Sequence, residues 1–250
     1  MNYINPKNIG FQGEINGIET LEFVEKQKVT TNQIEILYAY EPLCGWCYGF
    51  SEELNKLISR LSSVINFKLI NGGIFAGSKS LKMECISEHI KRNMGNVTER
   101  SGIEFGDKFM NLLEDKDYDY DSKKASIAVA ILREIYPKKT FEFASNIQKA
   151  FFYDGKDIQS DSFYVELLKA YPINLTKFLE RLNNPIESLK IEYEFSNTQK
   201  LGFQGYPAMA IKTKNGTKVL NQGYNTASQL VSKIYYAIED LIPSPAYPHL

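Results

Sequence analysis

The chain has 250 residues, 43% of them apolar, enough for one large domain or a domain with a sizeable insertion around a real core. Lys and Arg total 29 against 30 Asp and Glu, a net charge of −1, which gives no reason to expect a nucleic-acid or membrane-surface partner. No stretch approaches the roughly 18 apolar residues of a membrane span, and the N-terminus lacks the basic start and apolar run of about 7–15 residues that mark a secretory signal, so the expected location is the cytoplasm.

Residues 1–33 are rich in Asn, Gly, Gln, Lys and Thr and read as an N-terminal extension, either a flexible lead or one edge strand. From Ile34 the run I-E-I-L-Y-A-Y is β-branched and aromatic, which predicts a buried strand. It stops at Glu41-Pro42-Leu43, because Pro cannot donate to a ladder. C-G-W-C follows, and then Phe50, Leu54, Leu57, Ile58 and Leu61 recur at helical spacing. The cysteine pair therefore sits at a strand-to-helix transition. V-I-N-F-K-L-I-N reads as a second strand ending at Asn71-Gly72-Gly73.

Residues 79–200 read as almost entirely helical. Met83, Ile86, Ile90 and Met94 mark one helix, and Phe105, Phe109, Leu112 and Leu113 another. Ser122 is the expected N-cap of a helix that Pro137 terminates. Further helices are expected over 140–153, 161–171, 174–182 and 185–201, with Gly155 and Gly202 just past two of the ends. The period then changes: two strand-like runs flank Lys214-Asn215-Gly216-Thr217, a strong hairpin signal. Thr226 is the expected cap of a closing helix with Leu230, Ile234, Ala237 and Ile238 inward, and the Pro-rich tail 241–250 reads as extended. The 16 Tyr and 15 Phe are read first as core and second as a groove for peptides.

The order strand, Cys helix, strand, helical block, hairpin, helix predicts an α/β fold. The Cys helix supplies the crossover that a parallel strand pair needs, and the hairpin completes a four-stranded mixed sheet.

The three cysteines are Cys44, Cys47 and Cys85, too few for a disulfide framework. Thiol exchange needs a thiolate attacker and a second thiol that resolves the mixed disulfide. A C-x-x-C at a helix start provides both, since the orphan N–H groups and the positive end of the helix dipole favour a thiolate at Cys44. Cys47, one turn on, is within disulfide reach. Two other readings compete: a zinc site drawing on Cys85, His89 and His249, which lack the paired spacing of structural sites, and two reduced core cysteines. No metal is expected. A second signal is Gly205-Tyr206-Pro207 at the start of the first hairpin strand, where Pro is ordinary on its own.

Together these residues resemble the DsbA-type branch of the thioredoxin superfamily, and more narrowly the cytosolic FrnE-like group of predicted protein-disulfide isomerases. E-P-L-C-G-W-C-Y-G-F is close to that group's signature, which usually carries Asp where this chain has Glu41. Asn71-Gly72-Gly73, A-F-F-Y-D-G at 150–155 and G-F-Q-G-Y-P are similar landmarks, and the resemblance covers roughly residues 34–240. It implies a thioredoxin-like domain over 34–78 and 201–240, with residues 79–200 as a helical insertion domain. It implies that Cys44 and Cys47 are the redox pair, that Pro207 is the cis-proline facing them, and that the Tyr206 backbone offers strand-like hydrogen bonds to a bound polypeptide. Gly45 and Trp46 set the local environment, with Trp46 either a substrate contact or a cover for the sulfur. Glu41 is expected first as a solvated loop carboxylate; otherwise it moves protons to Cys47 or opposes a Cys44 thiolate by like charge. Cys85 and His89 are expected as bystanders.

The implied activity is disulfide oxidation, reduction or isomerisation on polypeptide or small-thiol substrates. No cofactor is implied beyond the redox-active disulfide, with glutathione or a thioredoxin system as electron partner. Two alternatives stay open: a glutathione-dependent small-molecule transferase or isomerase of kappa-class layout, and a non-enzymatic DsbA-like adaptor. Redox direction and oligomeric state are left open.

Overall fold

The computed structural model describes residues 34–241. The expectations for residues 1–33 and for the tail beyond 241 lie outside the described residues.

The main sheet has four strands in the order β2-β1-β5-β6. Strand β1 (Ile34–Tyr40) lies inside it, parallel to β2 (Asn66–Asn71) and antiparallel to β5 (Ala208–Thr213), which forms a hairpin with β6 (Gly216–Gln222). A central strand is covered on both faces, which is why its sequence is apolar at every position but Glu35 instead of alternating. Ile34, Ile36, Tyr38 and Tyr40 face the main core, while Leu37 and Ala39 pack with Ile70, Ala208 and Ala210 on the other face.

Helix α1 (Gly45–Leu61) makes the crossover between the two parallel strands. The chain then passes through β3 (Leu81–Lys82), α2 (Met83–Ser101), α3 (Asp107–Leu112), β4 (Asp119–Tyr120), α4 (Lys123–Ile135), α5 (Thr140–Phe152), α6 (Asp161–Leu168), α7 (Leu175–Leu182) and α8 (Pro185–Gln199). After the hairpin, α9 (Ala227–Leu241) packs on α1 and β6.

The helical block departs from expectation in detail. It contains a two-stranded ladder, β3 with β4, each strand only two residues long. Such a segment is too short to show a period of two. Phe105 lies before α3, not within it. Ser122 precedes α4, but its hydroxyl makes no capping bond; the cap comes from Asp121, whose Oδ1 accepts from Lys123 N at 2.8 Å and from Gly77 N at 3.0 Å. One side chain thus starts α4 and holds the turn before β3.

The late elements follow the sequence reading. Thr213 pairs with Gly216, so Lys214 and Asn215 form the turn of the hairpin. Thr226 and Gln229 bond reciprocally, Thr226 N to Gln229 Oε1 at 2.9 Å and Gln229 N to Thr226 Oγ1 at 3.3 Å, a capping box at the head of α9. Leu230, Ile234, Ala237 and Ile238 are all buried.

Two contacts seat α1 and β2 against the helical block. A Cβ on Gly49 would lie 2.7 Å from Val97 Cγ1 and 2.9 Å from Ser101 Oγ, so the missing side chain is what lets α1 and α2 approach so closely. At the end of β2, Glu194 accepts from Asn71 N at 2.8 Å and from Asn71 Nδ2 at 3.0 Å. Arg133 clamps the same carboxylate and also donates to Leu69 O at 2.7 Å. A bidentate, half-buried pair of this kind has fixed geometry and sets where β2 ends.

Candidate active site at the head of helix α1

Cys44 is the N-cap of α1, with φ −92° and ψ 112°; its carbonyl accepts from Tyr48 N at 3.0 Å. Its side chain makes no capping hydrogen bond to the first-turn N–H groups, and no acidic residue stands in that turn. Cys44 is half-buried and Sγ donates to Tyr206 O at 3.7 Å. Cys47, one turn on, is completely buried, beside Cys44 and the Tyr38 hydroxyl. Burial holds the Cys47 thiol well above its ordinary pKa, and the neighbouring Cys44 adds to this. The two sulfurs therefore differ, one reachable and at a helix terminus, the other enclosed.

The Tyr206–Pro207 peptide is cis. The loop that carries it is held from below: a Cβ on Gly72 would lie 2.4 Å from the Tyr206 ring, so that ring rests on bare backbone. Gly72 N donates to Tyr40 O at 2.8 Å, which ties this floor to the end of β1. Tyr206, the residue before the cis-proline, is thus what faces Cys44 across this gap, its ring seated on Gly72.

Glu41 corrects the sequence reading. It is not a solvated loop carboxylate but is 0% exposed. Its Oε2 accepts from Ile74 N at 2.8 Å, and Oε1 lies 3.5 Å from Leu43 N. Burial pushes its pKa up to about 7, while the N–H groups of Ile74, Leu43 and Gly73 pull the other way. The Ser122 hydroxyl lies near enough to help lower it but outside hydrogen-bond geometry. Its enclosure has little local signature, because apart from Leu43 the groups around it, Ile74, Gly73 and Ser122, lie more than 30 positions away.

The main-chain carbonyls of residues 41–43 are capped by side chains of the helical block. Gln148 Nε2 donates to Glu41 O at 3.1 Å and to Pro42 O at 3.4 Å, and the Tyr120 hydroxyl donates to Leu43 O. Tyr40 OH donates to Ala144 O at 3.0 Å beside them. Neither Gln148 nor Tyr120 carries a local signal; an inward polar residue on the apolar face of α5 was the only clue to the first.

Gly45 opens α1, and a Cβ there would meet only the Phe105 ring at 3.7 Å, an ordinary contact. Trp46 is half-buried, with its ring 6.4 Å from that of Tyr224, and it lines a cavity of about 220 Å³ together with Cys44 and Tyr206. His89, expected as a bystander, lines the same cavity, whereas Cys85 is exposed on α2. Among the described residues no group of three or more His, Cys, Asp or Glu could hold a metal ion, and His249 lies outside them.

A reachable thiol at a helix head, an enclosed second thiol and a cis-proline loop are the parts of a thioredoxin-type redox centre. The family model for the DSBA-like thioredoxin domain matches residues 35–233. The chain belongs to the DsbA-like thioredoxin family. Solved structures agree on the fold. A candidate protein disulfide isomerase from Nitrosomonas europaea is 22% identical with TM-score 0.75, covering 83% of this chain and 98% of its own. The cytosolic disulfide reductase DsbM from Pseudomonas aeruginosa is 22% identical with TM-score 0.64, covering 75% of this chain and 89% of its own. A 2-hydroxychromene-2-carboxylate isomerase shares the fold at 10% identity and TM-score 0.58, covering 83% and 95%. No curated protein matches. As a DsbA-like protein, the chain is a thiol-disulfide oxidoreductase by family, and among the described residues no helix is long and apolar enough to cross a membrane.

Proposed function

We propose that this DsbA-like protein exchanges disulfides with polypeptide substrates in the cytoplasm, with Cys44 as the nucleophile and Cys47 as the resolving thiol. The observation that carries this is the asymmetry of the pair: a half-exposed Cys44 at the α1 N-terminus, 3.7 Å from Tyr206 O, over a fully buried Cys47.

In the reducing direction, the Cys44 thiolate attacks one sulfur of a substrate disulfide. The substrate S–S bond breaks, a Cys44–substrate S–S bond forms, and the departing thiolate takes up a proton. Cys47 then loses its proton and attacks Cys44 Sγ. The substrate leaves as a thiol, and the two electrons that reduced it have come from the Cys44–Cys47 dithiol, now a disulfide. A thiol reductant of the glutathione or thioredoxin type restores the dithiol. The oxidising direction is the same sequence reversed.

Burial makes deprotonation of Cys47 the difficult step. Glu41 adjoins Cys47 through its main chain, and we propose that its enclosed carboxyl, with a pKa pushed up to about 7, passes this proton on toward solvent. Tyr206 O accepts from Cys44 only while that sulfur carries a proton, so ionisation frees the carbonyl for a substrate N–H.

The test is a pair of single variants assayed on a reducible protein disulfide. Cys44→Ser should abolish turnover. Cys47→Ser should react once and accumulate a mixed disulfide at Cys44, visible by intact mass. Turnover retained in Cys44→Ser would sink the proposal. A glutathione-dependent isomerisation that survives Cys47→Ser would assign the site to small-molecule chemistry instead.

A further inference from the structure

We propose that Arg100, laid on the Tyr224 ring beside Trp46, recognises a carboxylate side chain of a polypeptide substrate a few residues from its reacting cysteine. This rests on the oxidoreductase reading above and adds the charge of the preferred substrate.

The platform is built onto the redox centre. The Tyr224 ring meets that of buried Phe50 edge-on at 6.2 Å and lies 6.4 Å from that of Trp46, inside the C-x-x-C. Gly223 N donates to Pro207 O at 2.8 Å, which fastens the loop carrying Tyr224 to the cis-proline. The ring is therefore fixed from the helix that bears the cysteines and from the loop that faces them.

Arg100 lies over this platform, its Cζ 5.9 Å from the Tyr224 ring centroid. A guanidinium on an aromatic face keeps its N–H edge free for two parallel bonds to a carboxylate. Arg133 and Arg181 are paired with glutamates, whereas exposed Arg100 holds no Asp or Glu among the described residues. The acids whose charge reaches Tyr224 are engaged elsewhere. Glu52 and Glu53 bind Lys56 at 2.9 and 2.8 Å, and Glu53 also accepts from Ala227 N at 2.6 Å. A cation that is already ordered, open and next to the C-x-x-C is placed to read a substrate joined to Cys44. Arg100 also stands in the last turn of α2, where a cation favours the helix, so a purely structural role must be separated from recognition.

The experiment is single-turnover reduction of symmetric peptide disulfides by the full-length reduced protein carrying Cys85→Ser, which removes the other exposed thiol. The peptides have blocked termini and one Glu, Gln or Lys at one to four residues before or after the cysteine; oxidised glutathione is run beside them. Each rate is divided by the rate of the same disulfide with dithiothreitol, which removes intrinsic reactivity. At the position that reaches Arg100, Glu should react about three-fold faster than Gln, within what one exposed ion pair gives, and Gln faster than Lys. This order should shrink as salt is raised. Arg100→Gln should bring the Glu rate down and the Lys rate up until the order is gone, and a rise is something that damage to the fold cannot produce. Tyr224→Leu removes the platform, leaves the cation, and should weaken the order. Rates blind to charge at every position, or an order that persists undiminished in either variant, would overturn the proposal and leave the redox assignment standing. An effect of Arg100→Gln confined to oxidised glutathione would assign the cation to that tripeptide and overturn the polypeptide source. If no disulfide reacts with Cys44, the oxidoreductase reading fails with it.

Discussion

The side-chain amide of Gln148 donates to the carbonyl oxygen of Glu41 at 3.1 Å, joining two residues 107 positions apart. It also reaches Pro42 O at 3.4 Å, and Tyr120 takes the next carbonyl, at Leu43. Within the loop only Glu41 O finds a main-chain donor, Cys44 N at 3.1 Å; the buried Pro42 O and Leu43 O take theirs from the helical block. The helical block is therefore part of the redox loop's own hydrogen bonding and not merely a cover.

Replacing Gln148 by Leu keeps the volume and removes the donor. Gln148→Leu leaves Pro42 O without its donor and Glu41 O with Cys44 N alone; an unsatisfied buried carbonyl costs about 1–3 kcal/mol, so urea unfolding should show a stability lower by about that amount, read as a reduced midpoint at an unchanged slope. A variant as stable as the parent would mean that water replaces the amide.

Glu41 makes stability depend on pH in an unusual direction. Its pKa in the folded chain is about 7 against an ordinary 4.5. Between those values the unfolded chain has lost the proton and the folded chain keeps it. The folded state therefore binds more protons, and stability falls as pH rises through that window. The loss should be complete above pH 7 and come to roughly 3 kcal/mol. Comparing urea unfolding at pH 5 and pH 8 for parent and Glu41→Gln isolates the effect: the variant should gain on the parent at pH 8 and not at pH 5. A constant difference between the two would show that Glu41 does not titrate there.

Thiol accessibility should divide the three cysteines. Brief iodoacetamide treatment of the reduced native protein, followed by peptide mass mapping, should label half-exposed Cys44 and exposed Cys85 and leave buried Cys47 untouched. Labelling of Cys47 at a rate comparable to that of Cys44 would contradict the proposed division of roles.

Gly49 tests the approach of α1 to α2. In an open helix Gly→Ala stabilises by about 0.5–1 kcal/mol. Here the added methyl meets Val97 at 2.7 Å, and overpacking costs about 1–3 kcal/mol. The clash outweighs the propensity, so Gly49→Ala should be destabilising by about 1 kcal/mol in urea titration. Gly45→Ala, where a Cβ has room, serves as the control.

Legibility in the sequence follows the distance over which a residue is determined. Cys44, Cys47, the helix after them and the Asn-Gly hairpin are local patterns, and each stands where it was expected. The cis Tyr206–Pro207 bond was reached through resemblance, because Pro at a strand start is ordinary by itself. Glu41 was misjudged because hydropathy alone sends a loop carboxylate to solvent, and what buries it is Ile74 and the helical block. Gln148 and Tyr120 were not singled out, since their partners are backbone atoms 77 or more positions away. Strands β3 and β4, two residues each, have no period to read.

Cys44 and Tyr206 face each other across 162 positions of chain. A ribosome adding about 5–20 residues per second needs roughly 10–30 s to cover that interval. Throughout it the nascent chain presents a C-x-x-C pair with no opposing loop and without β5, the strand that closes the far side of β1. On the proposed function, the chain thus spends part of its synthesis as an unguarded dithiol, open to exchange before its opposing loop exists. The helical block emerges first, and its side-chain bonds to residues 40–43 can hold that segment before the sheet is complete.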